Sequence, residues 1–417
     1  MSKFEVNIVK IDDVTEHPNA DRLTVVTVGG YKCIANKTEE GNWRYNPGDL
    51  VVYIPEDSLL PEWLLKKSGF WNEEKQKGTL SGKAGNRVRP VKLRGIVSQG
   101  ILYPVYSTID MYSNPDEPKS IHAINLEHSM MNVIKDQNVA QELNITKYEP
   151  VVPANMEGEV GQLYGYTKAY DIENIKKYPT VFTETDNVVM TEKIHGTLCQ
   201  ICIFSKDSLG DDYKNAKTEN NIIKIESTYC PTYATVTSKE MGSKGFVQKQ
   251  IQSNMNNLYV STLHSLIENG TIANISDNYS TTIVNFRIHV FGKIIGKGVQ
   301  DLHYSYDTKE FRCFDVFLYD ADINTGRYLN DEELDIFCEK MDITRVSVLY
   351  RGPYSDKVVN KFTDGNTVEG NGSHIREGIV IRDVNEDNKD IRLPGERKQL
   401  KSVSDAYLLR KSGTEYN

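Results

Sequence analysis

The sequence predicts an α+β protein in two parts: a small N-terminal β-barrel, then a larger domain of mixed antiparallel sheets and helices. Three observations predict it. Five or so short strand-like runs with turn signals crowd into about the first 110 residues, as in a small barrel. "KYEPVVPANMEGEVG" then brings two prolines and two glycines close together, which reads as an interdomain boundary. Beyond it, long β segments alternate with helical ones. The expected domains are 1–150 and 151–417.

The elements follow in order. "FEVNIVK" alternates enough for a strand, and "HPNADRLTVVTVGGYKCIA" reads as turn, strand, "GG" hairpin, strand. "NPGDLVVYIPEDSLLP" adds a turn and a short apolar strand, and "RVRPVKLRGIVSQGILYPV" two more strands. "KKSGFWNEEKQKGTLSGKAGN", between them, reads as an exposed loop, and residues 110–147 are polar and mixed. In the second part, "VVMTEKIHGTLCQICIF" reads as strand, turn, strand, and "SKDSLGDDYKNAKTENN" as a polar, mobile loop. "VQKQIQSNMNNLYVSTLHSLIENGTI" has apolar residues near three-four spacing and reads as helix. "TTIVNFRIHVFGKII" and "EFRCFDVFLYD" are long β segments. "NDEELDIFCEKM" is a short helix with acids in its first turn, where the helix dipole favours them. "EGIVIRDVN" is a strand, and "QLKSVSDAYLLRK" lies near the end.

Composition narrows the class. The 417 residues are 26% charged and 39% hydrophobic, which suits a soluble globular protein. A net charge of −9 argues against coating long DNA non-specifically, but leaves room for local basic surfaces. No apolar run follows the N-terminus and no stretch approaches membrane-helix length, so no secretory signal and no membrane partner are expected. The six scattered cysteines read as reduced thiols, and a cytoplasmic monomer is expected. The Asn-x-Ser/Thr match at Asn144 carries no meaning in that setting.

Chemistry concentrates in "TEKIHGTLCQICIF", residues 191–204. Cys199 and Cys202 have the spacing of a zinc knuckle. A structural site needs four ligands, no second pair exists, and positions 199 and 202 of a strand face opposite ways. Buried strand cysteines are the better reading. Lys193 stands three residues before Gly196, which permits a tight turn or a close approach to a ligand. A lysine amine can attack phosphorus if neighbouring positive charge lowers its pKa. Glu377 opens an apolar strand flanked by Arg376 and Arg382, and Lys398 and Lys401 follow. A carboxylate among bases suits a metal–phosphate site. An ordinary ion-pair network is the competing account.

The order "EKIHGT", "FGKIIGKGVQ", "FRCFDVF", "EGIVIR", "LKSVSDAYLLRK" resembles a covalent nucleotidyltransferase of the RNA ligase class. It looks most like the ATP-dependent RNA ligases of the Deinococcus and Naegleria type. The resemblance covers nearly the whole chain. It implies an OB-fold barrel followed by a nucleotidyltransferase (ATP-grasp-like adenylyltransferase) domain. It implies that Lys193 is the nucleophile that takes AMP from ATP. Glu377 would act with a hydrated Mg²⁺ or Mn²⁺, and Lys401 would contact the α-phosphate. Phe314 would stack on adenine, although a core phenylalanine is its ordinary reading. Glu192, Ile194 and Gly196 would belong to the nucleotide site. Lys239 or Lys244 would contact ribose or phosphate, and Asp171 and Asn174 fall in a segment the family carries before the lysine strand. His195 would contact the nucleotide or shape the turn.

Two positions depart from the family. Lys293 stands where a glutamate is expected to touch ribose, and a lysine cannot accept those hydrogen bonds. It is expected to meet phosphate or an acid such as Asp315. Gln399 stands at the first of two usual lysines, with Lys398, a candidate nucleotide contact, beside it.

The resemblance further implies sealing of 3′-OH/5′-phosphate nicks in RNA duplexes or RNA/DNA hybrids, with RNA repair as the role. Arg87, Arg89, Lys92 and Arg94 would form a basic strip on the barrel, with Lys92 and Arg94 on one strand face. A solvated edge strand is the alternative. A DNA ligase, a capping guanylyltransferase, or an RNA-binding protein on a decayed ligase fold are the other readings.

Overall fold

A computed structural model describes residues 4–110, 119–149 and 151–410. The chain falls into two compact units. The described part of one is 4–110 and 119–149 with 176–179, and of the other 151–175 with 180–410.

In the first unit, strand Leu50–Ile54 lies between Asn7–Lys10 and Ile101–Pro104, antiparallel to both. Neighbouring residues of this strand serve different cores. Val52 and Ile54 pack with Val6, Ile8 and Leu64, whereas Val51 packs with Ile11, Val26 and Cys33. The strand is therefore buried on both faces, as the two-residue period requires. Asp13–Glu16, Leu23–Val28 and Tyr31–Asn36 form a second antiparallel sheet. Residues 66–86 are not a simple exposed loop. Helix Glu62–Lys67 and the short pair Trp71–Asn72 and Lys77–Gly78 fold part of the segment back, with Phe70, Trp71 and Leu80 against the core. Strands Tyr106–Asp110, Lys119–Asn125 and Met130–Val133 form a three-stranded sheet, the last two within the stretch that is polar and mixed in sequence.

Two sheets organise the described residues of the second unit. One runs in the order Glu173–Asn174, Gln399–Val403, Gly378–Asp383, Asn187–Lys193, Val348–Pro353. The other runs Ile223–Ile225, Thr232–Ser238, Thr197–Ser205, Phe286–Gly296, Lys309–Asp320, Thr325–Tyr328. All neighbours are antiparallel except Glu173–Asn174, which runs parallel to Gln399–Val403. The chain passes from one sheet to the other through His195 and Gly196. A Cβ on Gly196 would stand 2.4 Å from the Ile294 carbonyl oxygen, so this crossing needs glycine.

Cys199 faces the core of Ile201, Val236 and Leu263, while Cys202 faces that of Phe204 and Tyr233. They cannot share one ion. The polar segment 205–221 is structured: helix Asp212–Thr218 buries Ala216, and Leu209 joins the same core. Only part of the 247–272 segment is helical. Helix Leu258–Glu268 begins where the Asn257 side chain accepts from the Tyr259 and Val260 amides, and Gly270, at φ 84°, separates it from helix Thr271–Ser280. Helix Asp331–Lys340 starts in a capping box between Asn330 and Glu333, so its acidic first turn is bonded as well as favoured by the dipole.

Asn257 also donates to the Glu157 carbonyl at 2.7 Å. Asn257→Ala removes both the cap and this bond, and the second unit should lose about 1–2 kcal/mol. Urea unfolding followed by helical circular dichroism checks this; an unchanged midpoint would show that the cap carries no stability.

Candidate active site: a lysine cavity between two sheets

A cavity of about 160 Å³ opens where the two sheets approach each other. Its apolar wall comes from Val189, Ile194, Leu198, Phe314, Val346 and Val380, and its polar wall includes Lys193, Lys239, Lys293 and Lys401. An apolar slot edged by ammonium groups suits a planar base with phosphates attached.

Strand register brings the central groups together. Lys193 pairs with Gly378 in the neighbouring strand, and Val380 pairs with Lys401 in the next. A Cβ on Gly378 would stand 2.0 Å from the Ser402 carbonyl oxygen at a φ of 153°, so glycine must follow Glu377. The Lys193 ammonium donates to the Glu377 carboxylate. Burial would raise the Glu377 pKa, but the charges of Lys193, His195 and Lys293 overcome it and hold the carboxyl below its usual range. Lys401 shows the opposite balance. Burial, then the charges of Lys193 and Lys239, push its ammonium down to about 8, against a smaller opposing pull from Glu173 and Glu377.

Lys239 begins a short helix capped by Ser238 and lies 3.3 Å from Asp171. Lys244 instead pairs with Glu240 and does not line the cavity. Asn174 stands opposite Lys401 on the adjoining strand. Phe314 reaches the cavity through a bulge: Phe291 pairs with Asp315 but Gly292 with Cys313, leaving Phe314 as the extra residue. Bulges re-aim side chains in this way. Its ring packs edge-on against Tyr170 at 5.1 Å.

Two residues, Lys398 and Lys293, differ from their sequence assignments. Lys398 is turned away from the cavity, 2.9 Å from Asp186 and 3.4 Å from Asp383. Its neighbour Gln399 lines the cavity instead, because adjacent strand residues face opposite ways. Glu192 lines the cavity, and its carboxylate accepts from the Thr367 hydroxyl and from the Val368 amide at 2.8 Å. Burial raises its pKa. Lys293 does line the cavity, but its ammonium donates to the Gly196 carbonyl at 2.7 Å rather than meeting Asp315. Asp315 is fully buried and bonded to Arg397, Arg382 and Tyr170. Those two guanidinium groups hold its carboxyl low against burial.

The groups that fix His195 have no signal in the local sequence. Its ring nitrogens meet Asp301 at 2.8 Å and the Tyr407 hydroxyl at 2.7 Å, while its backbone N–H donates to the Tyr304 hydroxyl at 2.6 Å. Arg410 completes the set, 3.1 Å from Asp301. The turn after Lys193 is thus held from several directions.

A family model for RNA ligase matches residues 186–401, more than half of the chain and a span that includes Lys193, Glu377 and Lys401. The chain belongs to the RNA ligase family. A second model, for an OB-fold domain, matches residues 5–105. No curated protein matches the chain. Among solved structures, the Naegleria gruberi RNA ligase with PPi is similar at 20% identity and a TM-score of 0.63, covering 97% of this chain and 98% of that one. Mutants of that ligase with ATP and Mn, and with AMP and Mn, are similar at 20% identity and a TM-score of 0.64, with the same coverage. These likenesses establish the fold: an OB-fold unit, then the mixed sheet and helix unit of an RNA ligase.

On the barrel, the strip predicted for this family member is not uniform. Arg87 is paired with Asp57 and stacked 3.6 Å over Tyr148. Arg94 has left-handed φ, 49°, in the turn of hairpin Val91–Leu93 and Ile96–Ser98, so it does not share a strand face with Lys92. Both side chains are exposed at the hairpin tip. His17 and Asn19 brace that turn through the Leu93 and Arg94 carbonyls at 3.1 and 2.9 Å.

The Lys401 shift has a pH signature. Its pKa is lower folded than unfolded, so between about 8 and the ordinary lysine value the unfolded chain binds more protons. Below that window the buried charge costs stability, and the cost is relieved as pH rises through it. Relative to Lys401→Met, the wild type should therefore gain unfolding free energy as pH rises above about 8. Parallel urea titrations from neutral to alkaline pH check this; a constant difference would mean the ammonium is not penalised.

Proposed function

We propose that the chain is an ATP-dependent RNA ligase that joins 3′-OH and 5′-phosphate ends through an AMP bound to Lys193. The observation that carries the reading is the juxtaposition of Lys193 and Lys401 in a cavity whose other wall is apolar, with the Glu377 carboxylate on the Lys193 ammonium. The ATP, AMP and Mn in the Naegleria structures support it.

The chemistry is three transfers at phosphorus. The Lys193 amine, having lost its proton, attacks the α-phosphorus of ATP; an N–P bond forms and pyrophosphate leaves. The 5′-phosphate of a strand then takes the AMP and frees the lysine. Finally a 3′-OH attacks the activated phosphate and AMP departs. The protein's task is to align these groups and neutralise charge. Lys401 and Lys239 face the phosphates. Phe314 and Val380 offer apolar surfaces for adenine. Glu377 keeps the Lys193 nitrogen oriented before attack.

A divalent ion fits this donor set in one way. Among the described residues no group of three or more His, Cys, Asp or Glu side chains is placed to hold a metal. One ionised carboxylate, Glu377, suits an ion such as Mg²⁺ or Mn²⁺ that keeps several waters and takes other oxygens from nucleotide phosphates. When bound, such an ion adds positive charge to the phosphates. The N-terminal unit, through Lys92 and Arg94, would grip the phosphates of a nicked RNA duplex or RNA/DNA hybrid. Repair of broken RNA is the role that follows. No helix among the described residues is long and apolar enough to cross a membrane.

The direct test is transfer of label from α-labelled ATP to protein. Wild type should take up about one acid-labile AMP per chain, and Lys193→Ala none. Label retained by Lys193→Ala would overturn the assignment.

Lys293 gives a second test. Its ammonium braces the Gly196 carbonyl and adds positive charge near Glu377. Lys293→Glu would set a carboxylate against that carbonyl and beside a second acid. Losing a charged hydrogen bond costs about 1.5–3 kcal/mol, so AMP labelling should slow roughly tenfold or more. Lys293→Met should fall between the two. Equal labelling rates across ATP concentrations would show that the side chain has no part in the site.

A further inference from the structure

A second, larger cavity of about 910 Å³ lies in the same unit, and Tyr170 and Gln399 line both it and the lysine cavity. The two spaces are therefore one side chain apart. The second is walled by the segment Lys168–Asp171, by Phe317, Arg327 and Tyr328 at one end of the six-stranded sheet, and by the loop after strand Gly378–Asp383.

Its chemistry differs from the first. Phe317 and Tyr328 meet edge to face at 4.9 Å and leave aromatic surface on the cavity. The Lys168 ammonium lies 3.9 Å over the Phe317 ring and 5.7 Å over Tyr328. Its backbone is fixed, because the Gln200 amide accepts from the Lys168 N–H at 2.8 Å and donates to its carbonyl at 2.7 Å. Among the described residues no carboxylate pairs with this ammonium, although it is half-buried and close to Arg397. Lys389 adds another cation from the loop. The acids nearby are largely engaged: Glu386 with Arg397 and Arg382, and Asp171 with Lys239. A partly buried ammonium without an anion, set on aromatic rings, is matched by a ligand carrying both phosphate and a flat base.

We infer that this second cavity receives the terminal nucleotide of a 5′-phosphorylated RNA strand, with its base against Phe317 and Tyr328 and its phosphate charge near Lys168. The inference rests on the ligase reading above and deepens it. Lysine adenylylation needs only ATP and the first cavity. Passing AMP onward needs a 5′-phosphate oxygen to reach phosphorus as the N–P bond to Lys193 breaks. A strand end held across Tyr170 and Gln399 is placed to supply it. Pyrophosphate would use the cations but not the rings.

The test separates the two reactions. Wild type, Lys168→Met, Phe317→Leu and Lys389→Ala are each labelled with ATP, then chased with a short 5′-phosphorylated RNA oligonucleotide; binding of its 5′-hydroxyl counterpart is measured in parallel. Lys168→Met and Phe317→Leu should label at wild-type rates yet pass AMP to RNA roughly tenfold more slowly at limiting oligonucleotide, the scale of one lost base stack. Lys389→Ala, in an exposed loop, should show a smaller loss and cannot be excused as misfolded. The wild type should favour the phosphorylated oligonucleotide, and Lys168→Met should narrow that preference. Unchanged transfer in all three variants, or labelling that falls as far as transfer, would overturn the inference. Failure of the wild type to label at all would instead remove the ligase reading on which it stands.

Discussion

The contact on which the site depends is the one between the Lys193 ammonium and the Glu377 carboxylate. The residues are 184 apart in sequence and meet because two antiparallel strands hold a register that sets Lys193 against Gly378. A slip of one residue would turn either side chain to the other face of the sheet. The register is protected by Gly378, where a side chain would strike the Ser402 carbonyl, and by Gly196, where one would strike the Ile294 carbonyl. Position 378 therefore serves the charge pair by permitting backbone approach, and position 196 by letting the chain leave its strand at once for the other sheet.

Charge around that pair is arranged in layers. Nearest are Lys193, Lys293 and His195, which keep Glu377 ionised although it is buried. Lys401 is the costly member, a buried ammonium pressed by two like charges. Such a cost is tolerable where an anionic ligand is the intended partner. Behind Phe314 and Tyr170, Asp315 binds two arginines in full burial. That cluster touches the aromatic wall through the Tyr170 hydroxyl at 2.5 Å and reaches the cavity itself through Arg382, so it stiffens the wall from behind.

The sequence made much of this legible, and the reasons for success and failure are physical. Lys193, Glu377 and Lys401 were singled out through the likeness of their short motifs to those of RNA ligases, and strand register brings the three together. The opposed faces of Cys199 and Cys202 followed from strand periodicity. Lys398 was misassigned because proximity in sequence is not proximity on a strand; the true lining residue is Gln399. The choice between Lys239 and Lys244 needed the exact start of a five-residue helix, where boundaries are hardest to read. The Asp301 and Tyr407 that support His195 lie 106 and 212 residues away from it and have no local signature. Segments 66–86 and 205–221 looked like loops because their polar residues outnumber the few apolar ones, Phe70, Trp71, Leu80, Leu209 and Ala216, that fasten them to cores.

Four lysines line the cavity, and Lys193 is the proposed nucleophile among them. Peptide mapping by mass spectrometry after incubation with ATP and Mg²⁺ or Mn²⁺ decides between them. AMP is expected on the peptide carrying "EKIHG", attached at Lys193. AMP found on Lys239, Lys293 or Lys401, or on no lysine under either metal, would contradict the assignment.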